Sequence, residues 1–178
     1  MWPERLRIHD VLSNRRYALQ LEGPSRPTGT AGVTVSRRPQ VAGRPVSILI
    51  VDDEPDNREV LEMVLAWEKF STVSAAGGRD ALAEIARQPP DLILLDVMMP
   101  GMDGFEVATR LKSDPLTERI PIILVTALAQ AAARARGLGT GAAEVLFKPL
   151  DREVLVDRVK DLLRSVYPDY RDGAEPAA

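Results

Sequence analysis

Five polar side chains stand where apolar runs stop. Asp52 and Asp53 follow Ser47-Ile48-Leu49-Ile50-Val51, Asp96 follows Asp91-Leu92-Ile93-Leu94-Leu95, Thr126 follows Ile120 to Val125, and Lys148 follows Ala143 to Phe147. Three carboxylates brought side by side cannot all stay charged without a compensating cation. Oxygen ligands alone suit a hard ion such as Mg²⁺, which keeps several waters and takes one or two carboxylates. A carboxylate beside such an ion can attack phosphorus and hold an aspartyl phosphate. The metal and a lysine ammonium neutralise phosphoryl oxygens while a hydroxyl donates to one of them. One carboxylate for attack, two for metal, one lysine and one threonine make a minimal phosphoryl-accepting site.

These residues need a scaffold that gathers strand ends. The apolar runs are continuous instead of alternating, which indicates strands buried on both faces of a parallel sheet. A weaker strand is expected at Phe70 to Ser74. Helical segments alternate with the runs. Pro55 suits a first helical turn, and Val60, Leu61, Val64 and Leu65 keep a helical period up to Trp67. Further helices are expected over Gly78–Arg87, Gly104–Lys112 and Leu128–Arg136. Asp151 can cap a last helix whose apolar stripe is Val154, Leu155, Val159, Leu162, Leu163 and Val166. Five strand–helix pairs predict one doubly wound α/β domain. Right-handed crossovers bring the ends of the first, third, fourth and fifth strands together, so Asp52, Asp53, Asp96, Thr126 and Lys148 share one crevice.

The 178 residues carry no cysteine, which excludes disulfides, thiolate metal sites and cysteine nucleophiles. A lone histidine, His9, excludes a histidine-rich metal site and reads as an exposed tail residue. No apolar run reaches the roughly 18 to 20 residues of a membrane span, and no secretory signal opens the chain. A cytoplasmic chain is expected. Residues 1–44 sum to +5, with eight arginines, and the remainder sums to −8, giving the overall −3. Residues 1–45 read as a basic, disordered extension: a short helix is possible over 4–21, and the Pro/Gly-rich stretch 22–45 cannot offset its conformational entropy. A solvated tail is favoured there over a nucleic-acid or membrane tether. The folded unit is expected over 46–166 and a disordered tail over 167–178.

Four motifs, Val51-Asp52-Asp53-Glu54-Pro55, Asp96-Val97-Met98-Met99-Pro100-Gly101-Met102-Asp103-Gly104-Phe105, Thr126-Ala127 and Phe147-Lys148-Pro149, resemble the receiver domain of two-component response regulators, of the stand-alone type. The resemblance runs from about Val46 to Val166. It implies a flavodoxin-like (βα)5 fold with strand order 2-1-3-4-5. It also implies that Asp96 is the phosphoacceptor, that Asp53 binds Mg²⁺ directly with Asp52 acting largely through water, and that the Met98 backbone carbonyl completes the protein ligands. Lys148 would bridge to a phosphoryl oxygen, the Lys148-Pro149 bond would be cis, and Thr126 would swing toward the phosphoryl group. The donor would be a sensor histidine kinase or a histidine phosphotransfer protein. Output to a downstream protein would pass through the fourth helix, fifth strand and fifth helix, as a population shift. One position departs from the family, which commonly has Tyr or Phe three residues before the lysine. Here it is Val145. Phe147 is assigned the opposite strand parity and so is not expected to substitute.

Other readings stay beside this one. Asp52 and Asp53 alone suit a strand-end turn or a helix cap, and Thr126 suits a turn. Met98, Met99 and Met102 are expected to pack the loop under the site, Trp67 to be half-buried, and Arg134 and Arg136 to lie on a solvated face. With only a polar tail after residue 166, no DNA-binding domain is expected in this chain. A phosphorylation-independent interaction module is the alternative function. An Mg²⁺-dependent phosphohydrolase is disfavoured because Met98 stands where a second carboxylate would serve as acid and base.

Overall fold

The computed structural model describes residues 38–128 and 130–173. The expected helix over 4–21, His9, most of the Pro/Gly-rich stretch and the end of the tail lie outside the described residues.

Two strands, β1 (Gln40–Val41) and β2 (Arg44–Pro45), precede the main sheet. The sheet comprises β3 (Ser47–Val51), β4 (Ser71–Ala75), β5 (Leu92–Asp96), β6 (Ile122–Thr126) and β7 (Glu144–Phe147). Between and after them lie α1 (Pro55–Trp67), α2 (Gly78–Arg87), α3 (Gly104–Lys112), α4 (Gln130–Gly139) and α5 (Arg152–Val166). All four pairings in the sheet are parallel and the order is β4-β3-β5-β6-β7. Counting only its own strands, that is 2-1-3-4-5, the order expected.

Burial on both faces explains the continuous apolar runs. Along β3, Ile48 and Ile50 face a core with α1 and α5, whereas Leu49 and Val51 face a core with α2 and α3. The same split divides Leu92 and Leu94 from Ile93 and Leu95, and Ile123 and Val125 from Ile122 and Leu124. On the first face, α1 contributes Val60, Leu61, Val64 and Leu65. α5 contributes Leu155, Val156, Val159 and Leu163. The stripe expected on α5 is therefore corrected: Val154 and Val166 are exposed, and Val156 replaces them. At 100° per residue Val156 stands only about 20° beyond the arc that runs from Leu155 through Val159 to Leu163, whereas Val154 stands about 100° off its other end. Asp151 does cap this helix, accepting from Glu153 N at 2.9 Å and Val154 N at 3.2 Å.

Ordered elements also flank the expected unit of 46–166 on both sides. β1 and β2 pair antiparallel across Ala42 and Gly43, whose positive φ values of 51° and 73° suit a tight two-residue hairpin. Gln40 and Arg171 exchange backbone hydrogen bonds of 3.0 and 2.9 Å, tying the segment before the sheet to the segment after it. Val41 and Tyr170 are buried in the α1/α5 core. Arg44 grips the buried Asp91 through two hydrogen bonds of 2.8 and 2.6 Å, and Ser47 N donates to the same carboxylate at 2.8 Å. Apolar surface and a buried carboxylate needing a cation thus order 39–45 and 167–173, despite their polar composition.

Candidate phosphoryl-accepting site

Asp52 follows β3 and Asp96 ends β5, its sheet neighbour, so their side chains emerge at one edge. Asp52, Asp53 and Asp96 each offer a carboxylate oxygen, and these atoms lie within 4.8 Å of one another. Lys148, one residue past β7, reaches across from the far side. Its Nζ is 3.0 Å from Asp52 Oδ2 and 2.8 Å from Asp96 Oδ1. Thr126 ends β6 and is fully buried, its Oγ1 accepting from Leu128 N at 3.0 Å. The Lys148–Pro149 peptide is cis. All five strand-end residues therefore lie at one edge of the sheet, as the crossovers require.

Burial is the largest influence on Asp96, raising its carboxyl above the usual range, and the charge of Asp52 pushes the same way. The hydrogen bond and charge of Lys148 and the Met98 N–H work against it. For Lys148, burial opposes the charged form, but contact with Asp96 and then Asp52 outweighs it and the ammonium is held above its ordinary value. One ammonium against three carboxylates leaves the cluster electron-rich, and its donors are hard oxygens. That donor set fits a divalent hard cation such as Mg²⁺.

Sequence reasoning missed the groups that aim Asp52. Glu54 N donates to Asp52 Oδ1 at 2.9 Å, and Asn57 Nδ2 lies 3.2 and 3.3 Å from the two carboxylate oxygens. Arg58 donates to the Asp52 carbonyl at 2.6 Å. A signal for Asn57 existed: it is the third residue of α1, a position that reaches back toward the residues before a helix.

Two expectations about packing change. Met98 is 57% exposed, whereas Met99 is buried and Met102 partly so, so only the latter two pack the loop. Residues two apart in a strand share a face, so Val145 and Phe147 have the same parity, contrary to the assignment above. Both pack on the α2/α3 side of the sheet while Leu146 faces α1 and α5. Trp67 is half exposed. Beside the site, a cleft of about 410 Å³ is lined by Met98, Met99, Phe105, Leu128 and Arg136 among others. Arg136 is less free than a solvated face implies, since its guanidinium carbon sits 4.2 Å from the Phe105 ring centroid.

Comparison with known proteins matches residues 48–160 to the response regulator receiver domain model. Response regulator PleD of Caulobacter vibrioides is 50% identical over 117 residues, 66% of this chain and 26% of PleD. The phosphate regulon transcriptional regulatory protein PhoB of Pseudomonas aeruginosa is 43% identical over 122 residues, 68% of this chain and 53% of PhoB. The chain thus spans about a quarter to a half of these curated relatives. A crystal structure of a putative response regulator from Chloroflexus aurantiacus superposes with a TM-score of 0.66 at 38% identity, covering 68% of this chain and 99% of that one.

Proposed function

The chain belongs to the response regulator receiver family, and from that premise we propose that Asp96 accepts a phosphoryl group from a histidine kinase or a histidine phosphotransfer protein. The observation that carries this reading is the cluster of three carboxylates within 4.8 Å, with Lys148 touching both Asp52 and Asp96. An Asp96 carboxylate oxygen attacks phosphorus, forming an acyl-phosphate P–O bond as the P–N bond to the donor imidazole breaks. The imidazole nitrogen keeps the electron pair and takes up a proton.

Asp52, Asp53, Asp96 and the Met98 carbonyl would hold Mg²⁺, which supplies charge neutralisation at the phosphoryl oxygens when bound. Lys148 exchanges its contact with Asp96 for one with a phosphoryl oxygen, and the Thr126 hydroxyl donates to another. Burial of Asp52 and Thr126 keeps these charge contacts out of bulk water, where they count for more. The chemistry is the chain's own phosphorylation and dephosphorylation, with no other substrate turned over. The message passes by protein contacts through the face of α4, β7 and α5. Among the described residues no helix is long and apolar enough to cross a membrane, and we place the reaction in the cytoplasm. We take the receiver unit to be residues 46–166 together with the ordered flanks described above.

Intact mass after incubation with acetyl phosphate and Mg²⁺ tests the reading, beside Asp96→Asn and an EDTA control. One phosphoryl adduct that needs Mg²⁺ and is absent from the variant is the expected result. Failure to form it, together with failure of beryllofluoride and Mg²⁺ to bind, overturns it. Val145 favours one second reading, a phosphorylation-independent interaction module. In that case partner binding is unchanged by Asp96→Asn.

A further inference from the structure

Val145 is buried in β7 with Gly137 of α4 directly against it. A Cβ at Gly137 would meet Val145 Cγ2 at 2.7 Å and Leu124 Cδ1 at 3.0 Å, closer than side chains pack. The helix is therefore seated on the sheet at its closest approach, and an aromatic ring at residue 145 has no space while α4 holds this position.

The neighbouring residue ties that helix to α3. The Arg136 guanidinium lies over the Phe105 ring, 4.2 Å from its centroid, and its Nη2 is 3.4 Å from Asp103 Oδ2. Asp103 is the N-cap of α3, accepting from Glu106 N at 2.8 Å, and Phe105 is buried in the first turn of that helix. This first turn is pressed in turn against the backbone of Asp96. A Cβ on Gly104 would stand 2.2 Å from Asp96 O and 2.9 Å from Val97 Cα, and Gly104 N donates to Val97 O at 3.0 Å. Contact is continuous from the Asp96 backbone through Gly104 and Phe105 to Arg136 and Gly137, then to Val145. Alongside runs the cleft of about 410 Å³, which Arg136 and Leu128 both line, so the side chain has open volume to turn into.

We propose that Arg136 is a latch that holds α4 against α3 when Asp96 is unmodified, so that phosphorylation shifts α4 only by releasing it. The proposal rests on Asp96 being the phosphoacceptor. A two-state element biased by both a latch and a ligand obeys linkage: weakening the latch enlarges the competent population and tightens the ligand's apparent affinity by the same factor. An exposed cation–π contact plus an exposed ion pair limits that factor to about three- to tenfold.

The test compares the full chain with Arg136→Ala and Arg136→Lys. Amide hydrogen exchange over residues 130–139 is followed without ligand, and affinity for beryllofluoride with Mg²⁺ is titrated. Faster exchange in the alanine variant, about three- to tenfold tighter beryllofluoride binding, and intermediate values for lysine are expected. Unchanged exchange overturns the latch. Faster exchange with unchanged affinity also overturns the proposal, since Arg136 would then stabilise α4 without opposing the switch. A wild-type protein that binds no beryllofluoride instead defeats the phosphoacceptor reading and the coupling with it, while the exchange arm still reports on the contact.

Discussion

Asp52 shows how much of a charged site is held by groups that carry no charge. Its carboxylate receives the Glu54 N–H, the Asn57 amide and the Lys148 ammonium, and it is almost fully buried. Asp53 is less enclosed, and its carboxylate shares the oxygen cluster with those of Asp52 and Asp96. Without a divalent cation the three carboxylates repel one another at short range, and folding has to hold them together against that repulsion. Replacing Asp53 by Asn removes one of the crowded charges and one metal ligand at once. The cation-free variant is therefore expected to melt higher than wild type. In wild type, Mg²⁺ at about ten times its dissociation constant contributes about 1.4 kcal/mol by linkage, a rise of a few degrees in a domain of this size. In Asp53→Asn most of that rise is lost. Differential scanning calorimetry with and without Mg²⁺ checks both. A variant that melts no higher without the cation, and gains as much from it, shows that Asp53 is neither crowded nor a ligand.

Elements differ in how plainly their sequences announce them, and the difference is physical. β3, β5 and β6 are central and buried on both faces, so apart from Ser47, Asp96 and Thr126 at their ends every residue is apolar and the runs are unmistakable. Edge strand β4, Ser71–Ala75, is half polar, and the expected start falls one residue early because Phe70, just outside it, is buried. α4 was expected over Leu128–Arg136 but spans Gln130–Gly139; its alanines and glycines give too little amphipathic contrast to fix the ends. The polar site was legible because chemistry needs particular residue types at strand ends. Asn57 and the Arg136 contact were not, because they depend on which turn of a helix faces which neighbour. Glycines test this packing directly. Gly104→Ala drives a Cβ to 2.2 Å from Asp96 O, backbone that cannot yield, so a loss of about 3 kcal/mol is expected from overpacking. At Gly139 nothing lies within 4 Å of the added Cβ, so alanine there is expected to add about 0.5 kcal/mol through backbone entropy. Urea unfolding of both variants measures the contrast, and equal effects would show that α3 does not press on Asp96.

At the scale of the whole molecule, the two flanks close the sheet at the edge opposite the site. Asp91 is the centre of that closure: its carboxylate holds Arg44 and Ser47 N, and its carbonyl accepts from the Tyr167 hydroxyl at 3.0 Å. Tyr167 thus joins the segment after α5 to the start of β5, while Asp169 accepts from Ala42 N at 2.6 Å and Arg171 pairs with Gln40. Burial, and after it the charge of Asp91, raises the Tyr167 hydroxyl from 10.0 to about 12. The sign follows from proton counting. Between pH 10 and 12 the unfolded chain has lost the proton that the folded chain keeps, so the folded state binds more protons and stability falls as pH rises. Below pH 10 both states are protonated and the contribution is complete. Tyr170 is raised too, chiefly by burial, so some alkaline slope persists without Tyr167. Tyr167→Phe should therefore lose stability at pH 8, by about 1 kcal/mol for the hydrogen bond, yet fall less steeply from pH 10 to 12 than wild type. Urea denaturation across that range reads both effects. Parallel wild-type and variant curves would mean that Tyr167 ionises as freely in the folded protein as in the unfolded chain, and that the flanks do not enclose it.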